Sequence, residues 1–271
     1  MAAEPAVGFV ATGLATLWSA PFNDDVVSQL LLGERVLVEE VRPDGWARVV
    51  AVEQPAARLD PRGYPGWLPA TQLAYGSSPE PSHVVDAVTT ALRDRPGGQV
   101  VLPGVVLGTR LASAGDPVDG CQPVHVPGQD RPLWAPPGSV APLPASATAV
   151  DVLALARRLR AAAYLWGGMS GQGIDCSGLV HLAWRRFGVC LPRDASDQAH
   201  ATEPVPPGAE QPGDLHFFAR PGRPVHHVGF VADQGHLLHA CYQQRHVVEE
   251  PMPPERAATL VATHRVVSGP R

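Results

Sequence analysis

The chain has 271 residues, of which 45% are hydrophobic and 17% are charged, and its formal net charge at neutral pH is −5. That length allows two or three small domains, each with its own core. The negative charge argues against nucleic acid or an anionic membrane surface as the main partner, and no segment approaches the roughly 20 apolar residues of a membrane-spanning helix.

The first 75 residues predict a small all-β domain. Short runs such as RVLVEEV and ARVVAV are separated by turn residues and end in GWLPATQLA. This pattern resembles a bacterial SH3-like domain, whose closing strand has the sequence G-W-V/L-P. We place the domain at residues 1–77, with a Pro- and Ser-rich linker at its end. The start of the chain lacks a basic region and a continuous apolar run, so no signal peptide is predicted.

A second, more divergent copy of this domain is predicted at residues 78–147. The segment VVLGTRLASAG repeats the pattern of LLLGERVLVEE in the first copy, since both contain Leu-Gly-x-Arg followed by an apolar residue. The Pro- and Ser-rich segment APLPASATA marks the next linker. Residues 148–271 form the third predicted domain.

In the third domain, Cys176 follows a glycine-rich loop and begins a predicted amphipathic helix that Gly188 should end. The apolar positions at helical spacing are Leu179, Val180, Ala183, Trp184 and Phe187, and the expected polar face comprises His181, Arg185 and Arg186. Asp175 or a neighbour is expected to cap the helix, which places the Cys176 sulfur near the positive end of the helix dipole. With a histidine alongside, we expect the thiolate to be stabilised, and a fall of the thiol pKa from about 8.5 to about 5 would make the thiolate nearly complete at neutral pH.

Two histidines downstream lie on apolar runs that predict strands. His227 lies in HHVGFVADQG, which ends in a predicted turn at Gln234 and Gly235, and His239 lies on the next strand. Side chains on one face of adjacent antiparallel strands approach to about 5 Å, so one imidazole can orient the other. We therefore predict His227 as general base and His239 as the third residue. Strand alternation turns His226 to the opposite face.

These motifs, in this order, resemble the NlpC/p60 family of bacterial cell-wall cysteine peptidases. The motifs are Y-x-W-G-G, D-C-S-G-L-V, L-P-R with a glutamine five residues later, P-G-D-L, H-V-G and H-A, at residues 164–168, 175–180, 191–193 with Gln198, 212–215, 227–229 and 239–240. The resemblance covers about residues 148 to 269 and implies a papain-like catalytic domain. The predicted fold class is therefore α+β, with two small all-β SH3-like barrels before that domain.

The resemblance also implies roles for single residues. Cys176 would be the nucleophile, His227 the base and His239 the orienting residue. The Tyr164 hydroxyl would donate toward the oxyanion, together with a backbone N–H at the helix start. The residues expected to contact the substrate here are Asp175, Ser177, Trp166 and Asp194, although Asp175 could be only a helix cap and Trp166 only a packing residue. Ala195 departs from the serine or threonine of many relatives, which leaves one substrate contact open.

Two SH3-like domains before one NlpC domain resemble a subgroup of γ-D-glutamyl-L-diamino acid endopeptidases that recycle cell-wall peptides in the cytoplasm. In that subgroup an acidic residue and a tyrosine of the first barrel contact the substrate amine. The candidates by position are Asp25, or its neighbour Asp24, and Tyr64. The implied activity is a cytoplasmic cysteine endopeptidase that cleaves the γ-D-glutamyl–L-diamino acid bond, with diaminopimelate or lysine, in peptidoglycan peptides with a free N-terminal L-Ala.

Two other functions stay open from the sequence: a thioester-forming amidase or acyltransferase, and a catalytically silent wall-binding protein. No metal or organic cofactor is implied, because the four cysteines lack metal-binding spacing. The expected partner is a peptidoglycan-derived peptide, with no nucleic acid and no membrane span, and the expected state is a monomer. Cys190 and Cys241 are expected in the core, and His216 at the surface or at a strand edge.

Overall fold

The computed structural model describes residues 5–267. The chain forms two compact units, and the boundary between them lies between Leu143 and Pro144. No helix in the described range has the length and apolar character needed to cross a bilayer.

The first unit begins with a seven-stranded antiparallel sheet. Its strands are β1 (Ala6–Val10), β2 (Leu14–Trp18), β3 (Val26–Leu31), β4 (Arg35–Val41), β5 (Trp46–Ala51), β6 (Tyr64–Pro69) and β7 (Leu73–Tyr75). They pair in the order β3-β2-β6-β5-β4-β1-β7. Alternate side chains of these strands, such as Leu17, Val36, Val49 and Leu68, face one apolar core.

The second sheet of this unit repeats that topology. Its strands are β8 (His83–Val85), β9 (Thr89–Arg93), β10 (Val100–Val106), β11 (Arg110–Ser113), β12 (Gln122–His125), β13 (Leu133–Ala135) and β14 (Val140–Pro142). The order β10-β9-β13-β12-β11-β8-β14 is that of the first sheet with seven added to each number. Gly33 and Gly108 occupy the same turn of the two copies, with φ of 81° and 83°. The repeat inferred from the Leu-Gly-x-Arg pattern is therefore present in the fold.

Each of these sheets is a linear array of strands. In the part of the chain that the structure describes, no ladder joins the end strands β3 and β7, or β10 and β14, so hydrogen bonding does not close either barrel. The two copies are SH3-like in strand order rather than closed cylinders.

The second unit combines four helices with a six-stranded sheet. The helices are α1 (Ala149–Arg157), α2 (Cys176–Arg186), α3 (Ala195–His200) and α4 (Pro254–Ala257). The strands are β15 (Met169–Ser170), β16 (Gly173–Ile174), β17 (Glu203–Pro204), β18 (Leu215–Phe218), β19 (His227–Val231), β20 (His236–Cys241), β21 (His246–Pro251) and β22 (Leu260–Arg265). The sheet order is β17-β22-β18-β19-β20-β21, and β15 pairs with β16. The predicted α+β class is confirmed.

Helix α2 lies at the centre of this unit. It packs against α1, β15, β19 and β20, and it ends at Arg186, two residues before Gly188. All of its residues are buried, including His181, Arg185 and Arg186. The expected polar face is therefore buried as well, because neighbouring elements cover both faces of the helix, which hydropathy periodicity cannot reveal.

Candidate active site

The start of α2 presents the Cys176 thiol to the sheet. Asp175 caps the helix, because its Oδ1 accepts the Gly178 N–H at 2.7 Å. The backbone N–H groups of Ser177 and Val228 point at the Cys176 sulfur, so the thiol lies against the start of strand β19. Since Val228 follows His227 directly, this contact brings the predicted nucleophile and the predicted base together.

A buried ion pair fixes the loop before the helix. Arg193 donates to both Asp175 oxygens, at 3.0 Å to Oδ1 and 2.7 Å to Oδ2. The Gly167 N–H donates to Oδ2 at 2.9 Å, and the Ser177 hydroxyl donates to Oδ1. Only 1% of the Arg193 side chain and 9% of the Asp175 side chain are exposed. Asp175 is thus a helix cap and an ion-pair partner, and its further contact with a substrate amine stays a prediction.

The two predicted histidines lie on neighbouring antiparallel strands, as expected. Phe230 pairs with Leu238, which puts Gly229 opposite His239 and His227 on the same face. His227 Nε2 and His239 Nδ1 are 2.7 Å apart, and the two rings meet edge to face. A Cβ on Gly229 would lie 2.9 Å from the His239 Cβ. The glycine of the H-V-G motif therefore makes room for the second imidazole.

A fourth residue, Glu250 on β21, extends the chain of hydrogen bonds. Its Oε1 lies 3.1 Å from His239 Nε2. A carboxylate only accepts hydrogen bonds, so His239 carries its proton on Nε2 and accepts at Nδ1. His227 then carries its proton on Nε2, which leaves the Nδ1 lone pair for the thiol. Sequence reasoning missed Glu250, because the run VVEEP does not separate it from Glu249.

Burial sets the resting protonation of the predicted catalytic pair, Cys176 and His227. Burial, with a smaller contribution from the Asp175 charge, raises the pKa of the Cys176 thiol to about 12. Burial also holds the pKa of His227 well below its usual value, helped by the charge of Arg256. The predicted fall of the thiol pKa is therefore wrong for the free protein: desolvation outweighs the backbone N–H groups at the sulfur. At neutral pH the pair is thiol and neutral imidazole.

Tyr164 lies beside these groups. Burial and the nearby Cys176 and Asp175 raise the pKa of its phenol, so the hydroxyl stays a hydrogen-bond donor across the physiological range. Its ring meets Tyr242 edge to face at 5.4 Å. Trp166, by contrast, is 65% exposed and does not pack in the core.

The remaining predicted substrate residues are spread over both units. Asp194 is half-buried at the N-cap position of α3, and Ser177 is buried next to the nucleophile. Asp25 is exposed directly before β3, as is its neighbour Asp24. Tyr64 is buried in the apolar core of the first sheet. Their contacts with a substrate stay predictions.

Several secondary predictions can be compared with the fold. His226 is exposed while His227 is buried, as strand alternation requires. Cys241 is buried as expected, but Cys190 is exposed. His216 is buried inside the sheet, neither at the surface nor at a strand edge, and its Nδ1 lies 2.8 Å from the Thr263 hydroxyl across the β18–β22 pair. Hydrogen bonding to a neighbouring strand lets this polar ring lie inside the sheet.

The motif residues Arg193 and Gln198 prove to be structural supports that were given no role from sequence. Gln198 Nε2 donates to the Ser177 and Pro192 carbonyls, each at 2.9 Å. The signal was present in the L-P-R pattern and its following glutamine. Their partners could not be identified because they lie on segments distant in the sequence.

A buried thiol near a buried imidazole, with a second imidazole held by a carboxylate, is the arrangement typical of a cysteine hydrolase. Residues 161–262 match the NlpC/P60 family, and residues 17–73 match the bacterial dipeptidyl-peptidase SH3 domain family. The chain is 32% identical over 241 residues to a γ-D-glutamyl-L-lysine dipeptidyl-peptidase of Bacillus subtilis, covering 80% of this chain and 73% of that protein.

A relative of the same name from Bacillus cereus is 31% identical over 244 residues, covering 85% of this chain and 72% of that protein. The crystal structure of an NlpC/P60 family protein from Bacillus cereus matches with a TM-score of 0.85 at 24% identity, over 96% of this chain and 99% of that chain. The structural likeness supports the fold, and the sequence likeness establishes the family. The chain belongs to the NlpC/P60 family and is a cysteine peptidase.

Proposed function

We propose that this peptidase hydrolyses the γ-D-glutamyl–L-diamino acid bond of peptidoglycan peptides that have a free N-terminal L-Ala, in cytoplasmic recycling of murein peptides. The main support is the extent of the sequence likeness. Two relatives named γ-D-glutamyl-L-lysine dipeptidyl-peptidases match 80% and 85% of this chain, so the likeness includes the SH3-like region as well as the catalytic domain.

The first half of the reaction uses the neutral pair. As the Cys176 sulfur attacks the γ-carbonyl carbon of D-Glu, the thiol proton moves to His227 Nδ1. The carbonyl oxygen becomes an oxyanion, and in this scheme a backbone N–H at the start of α2 and the Tyr164 hydroxyl stabilise it. His227 then gives its proton to the amine of the diamino acid as the C–N bond breaks, which leaves a γ-glutamyl thioester.

Water completes the reaction. His227 Nδ1 takes a proton from the water that attacks the thioester, and the sulfur leaves as a thiol when that proton returns to it. The products are L-Ala-D-Glu and a free diamino acid or the peptide that begins with it. Throughout, His239 and Glu250 hold the His227 proton on Nε2, because Glu250 accepts from His239 and His239 accepts from His227.

The free amine is the proposed specificity element. We assign Asp175 and Ser177 to the N-terminal ammonium, with Trp166 as a wall of the same pocket. The resemblance adds Asp25 and Tyr64 to the residues that contact this amine, and Asp194 is assigned to the substrate without a more specific role. A cation that leaves water needs hydrogen-bonded anions. Because Arg193 already neutralises Asp175, the ammonium needs a further carboxylate in this scheme.

Mass spectrometry of the purified protein with L-Ala-γ-D-Glu-meso-diaminopimelate, its L-lysine counterpart and an N-acetylated twin tests the proposal. We expect release of L-Ala-D-Glu from the free peptides and at least about 100-fold slower cleavage of the acetylated one, since acetylation leaves the anionic site without its cation. Cys176→Ala should reduce turnover by about 10⁵-fold or more with an unchanged far-ultraviolet circular dichroism spectrum.

Cys190→Ala is the matched control, because this thiol lies in the same unit but is exposed, and its activity should equal that of the wild type. Equal cleavage of the acetylated and free peptides would exclude the amine pocket and indicate an open cleft. No cleavage of any peptide, or an active Cys176→Ala variant, would contradict the proposed activity.

A further inference from the structure

Strands β20 and β21 place three metal-binding side chains on one face. His239 and Cys241 alternate on β20, so their side chains share a face. Glu250 pairs with Leu237, and therefore lies on that same face of β21, diagonal to His239. His239 is part of the proposed catalytic chain of hydrogen bonds, whereas Cys241 has no part in it.

The ligand atoms of these residues lie close together. A ring nitrogen of His239, Cys241 Sγ and a Glu250 carboxylate oxygen are all within 4.8 Å of one another. Nε2 is the His239 nitrogen that faces Glu250, 3.1 Å from Oε1. Imidazole, thiolate and carboxylate are the ligands that Zn²⁺ prefers, at bond lengths of about 2.0–2.3 Å. A tetrahedral ion with such bonds needs ligand atoms about 3.5 Å apart, so small side-chain rotations bring this set to coordinating distance. Because 24% of the Glu250 side chain is exposed, the site is accessible from solvent.

We propose that His239 Nε2, Cys241 Sγ and the Glu250 carboxylate form a Zn²⁺ site, and that the bound ion switches the peptidase off by reversing the proton order of the His239–His227 pair. Two glutamines border the site. Gln244 donates its side-chain amide to Glu250 Oε2 and its backbone N–H to Cys241 Sγ, and the Cys241 thiol points at Gln243 Oε1. Water supplies the fourth ligand, because Gln243 Oε1 already accepts from the Arg256 guanidinium at 2.8 Å.

The reversal follows from counting protons. An ion on His239 Nε2 displaces the proton from that atom, and the neutral ring then carries it on Nδ1. His239 Nδ1 now donates to His227 Nε2, so the His227 proton lies on Nδ1, toward Cys176. That atom no longer has a lone pair for the thiol proton. Each ring keeps one proton, and the Cys241 thiol releases its proton to solvent.

Metal binding can be tested by a measurement that does not depend on peptidase activity. Co²⁺, which reports thiolate ligation through a near-ultraviolet charge-transfer band, is titrated into Cys176→Ala protein, whose catalytic thiol is absent. We expect one equivalent of Co²⁺ with a thiolate band, and Zn²⁺ should displace it. The band should persist in Cys176→Ala/Cys190→Ala and vanish in Cys176→Ala/Cys241→Ala. A band that survives the loss of Cys241, or no band at all, would overturn the site.

Circular dichroism confirms that each variant is folded, and Cys176→Ala/Glu250→Gln gives a second measurement if the Cys241 variant is not. That variant should bind Co²⁺ about 10-fold or more weakly, since it loses a charged ligand. Unchanged affinity would remove Glu250 from the site.

Inhibition is the second test, and it rests on the proposed function. Cys241→Ala should keep basal activity, because Cys241 is outside the catalytic chain, and should need about 10- to 100-fold more Zn²⁺ than the wild type for half inhibition. Equal inhibition of both proteins would refute the switch and place the inhibitory ion on Cys176. A failure of the peptidase proposal would leave the Co²⁺ result untouched, so the two failures can be distinguished.

Discussion

The two units of this chain bury different kinds of side chains. In the first unit the cores consist of apolar side chains on alternate strand positions, and Glu34 is the one buried charged residue among the positions that the structure describes. The second unit buries a set of ionisable groups around its central helix: Asp175, His181, Arg185, Arg186, Arg193, Asp197, Asp214, His216, His227, His239 and Arg256.

The two kinds of core should respond differently to substitution. Apolar cores tolerate substitutions that keep volume, because dispersion and burial are not directional. A buried hydrogen-bonded charge is different, since removing its partner leaves it unpaired at a cost of several kcal/mol. The second unit should therefore be far more sensitive to single polar substitutions than the first.

The largest effect on stability is expected at the buried ion pair. Arg193→Met leaves the Asp175 charge unpaired beneath the helix start, and the free energy of unfolding should fall by about 3–5 kcal/mol. Urea unfolding monitored by circular dichroism measures the change. Arg62→Met, which breaks the exposed pairs of Arg62 with Asp60 and Glu39 in the first unit, should leave the midpoint unchanged. Equal falls in the free energy of unfolding of both variants would contradict the difference between the buried ion pair of the second unit and the exposed ion pairs of the first.

Gly229→Ala should reduce turnover by about 100-fold. The new Cβ would lie 2.9 Å from the His239 Cβ and 2.7 Å from Leu237 Cδ1, and a displacement near 1 Å in a catalytic group typically costs that much. Gly8→Ala is the matched strand substitution in the first unit, where the nearest atom is a Val38 methyl at 3.1 Å. It should leave kcat within twofold of the wild type, and a fall as large as that of Gly229→Ala would contradict the crowding at His239.

Buried histidine should make the second unit sensitive to acid. Burial, with the charges of Arg185 and Arg193, lowers the pKa of His181 to about 3. Above pH 6.5 the ring is neutral in both states; as the pH falls, the unfolded chain takes up a proton that the fold excludes, so stability decreases. Between pH 8 and pH 5 this costs about 2 kcal/mol.

His181→Asn, which keeps a donor to the Leu191 carbonyl that Nδ1 now contacts at 2.7 Å, should lose that part of the pH dependence. Urea unfolding at pH 8 and pH 5 measures it. The control is His83→Asn in the first unit, at a half-buried ring, where a smaller change is expected. Identical pH dependence in wild type and His181→Asn would show that the ring is protonated in the fold.

The smallest of these effects, about 10-fold in kcat, is expected for Glu250→Gln. A glutamine can donate to His239 Nε2 instead of accepting from it, so ¹⁵N NMR of the imidazoles should show a mixture of tautomers. Glu249→Gln, on the same strand but paired with Arg157, should change neither. Within the second unit, only the carboxylate that faces the histidine pair should affect kcat and the imidazole tautomers.

Local patterns predicted the parts of the site that depend on neighbours in sequence. The helix after Cys176, its Asp175 cap and the burial of His227 beside an exposed His226 all follow from periodicities of 3.6 and 2. The Leu-Gly-x-Arg repeat predicted the second SH3-like sheet in the same way. Such patterns state which residues share a face, and they are independent of what covers that face.

How deeply each residue is buried, and which distant residue it contacts, could be read only from the tertiary structure. The sequence did not distinguish Glu250 from Glu249, pair Arg193 with Asp175, or show that α2 is covered on both faces. The prediction of the thiol pKa was wrong for the same reason, since that pKa depends on how much water the packed sheet excludes from Cys176. The fold class, the order of the motifs and the family could be inferred from the sequence alone, because they depend on the spacing of residues that are close together along the chain. Packing across distant segments alone decided which charges are paired and which protons move.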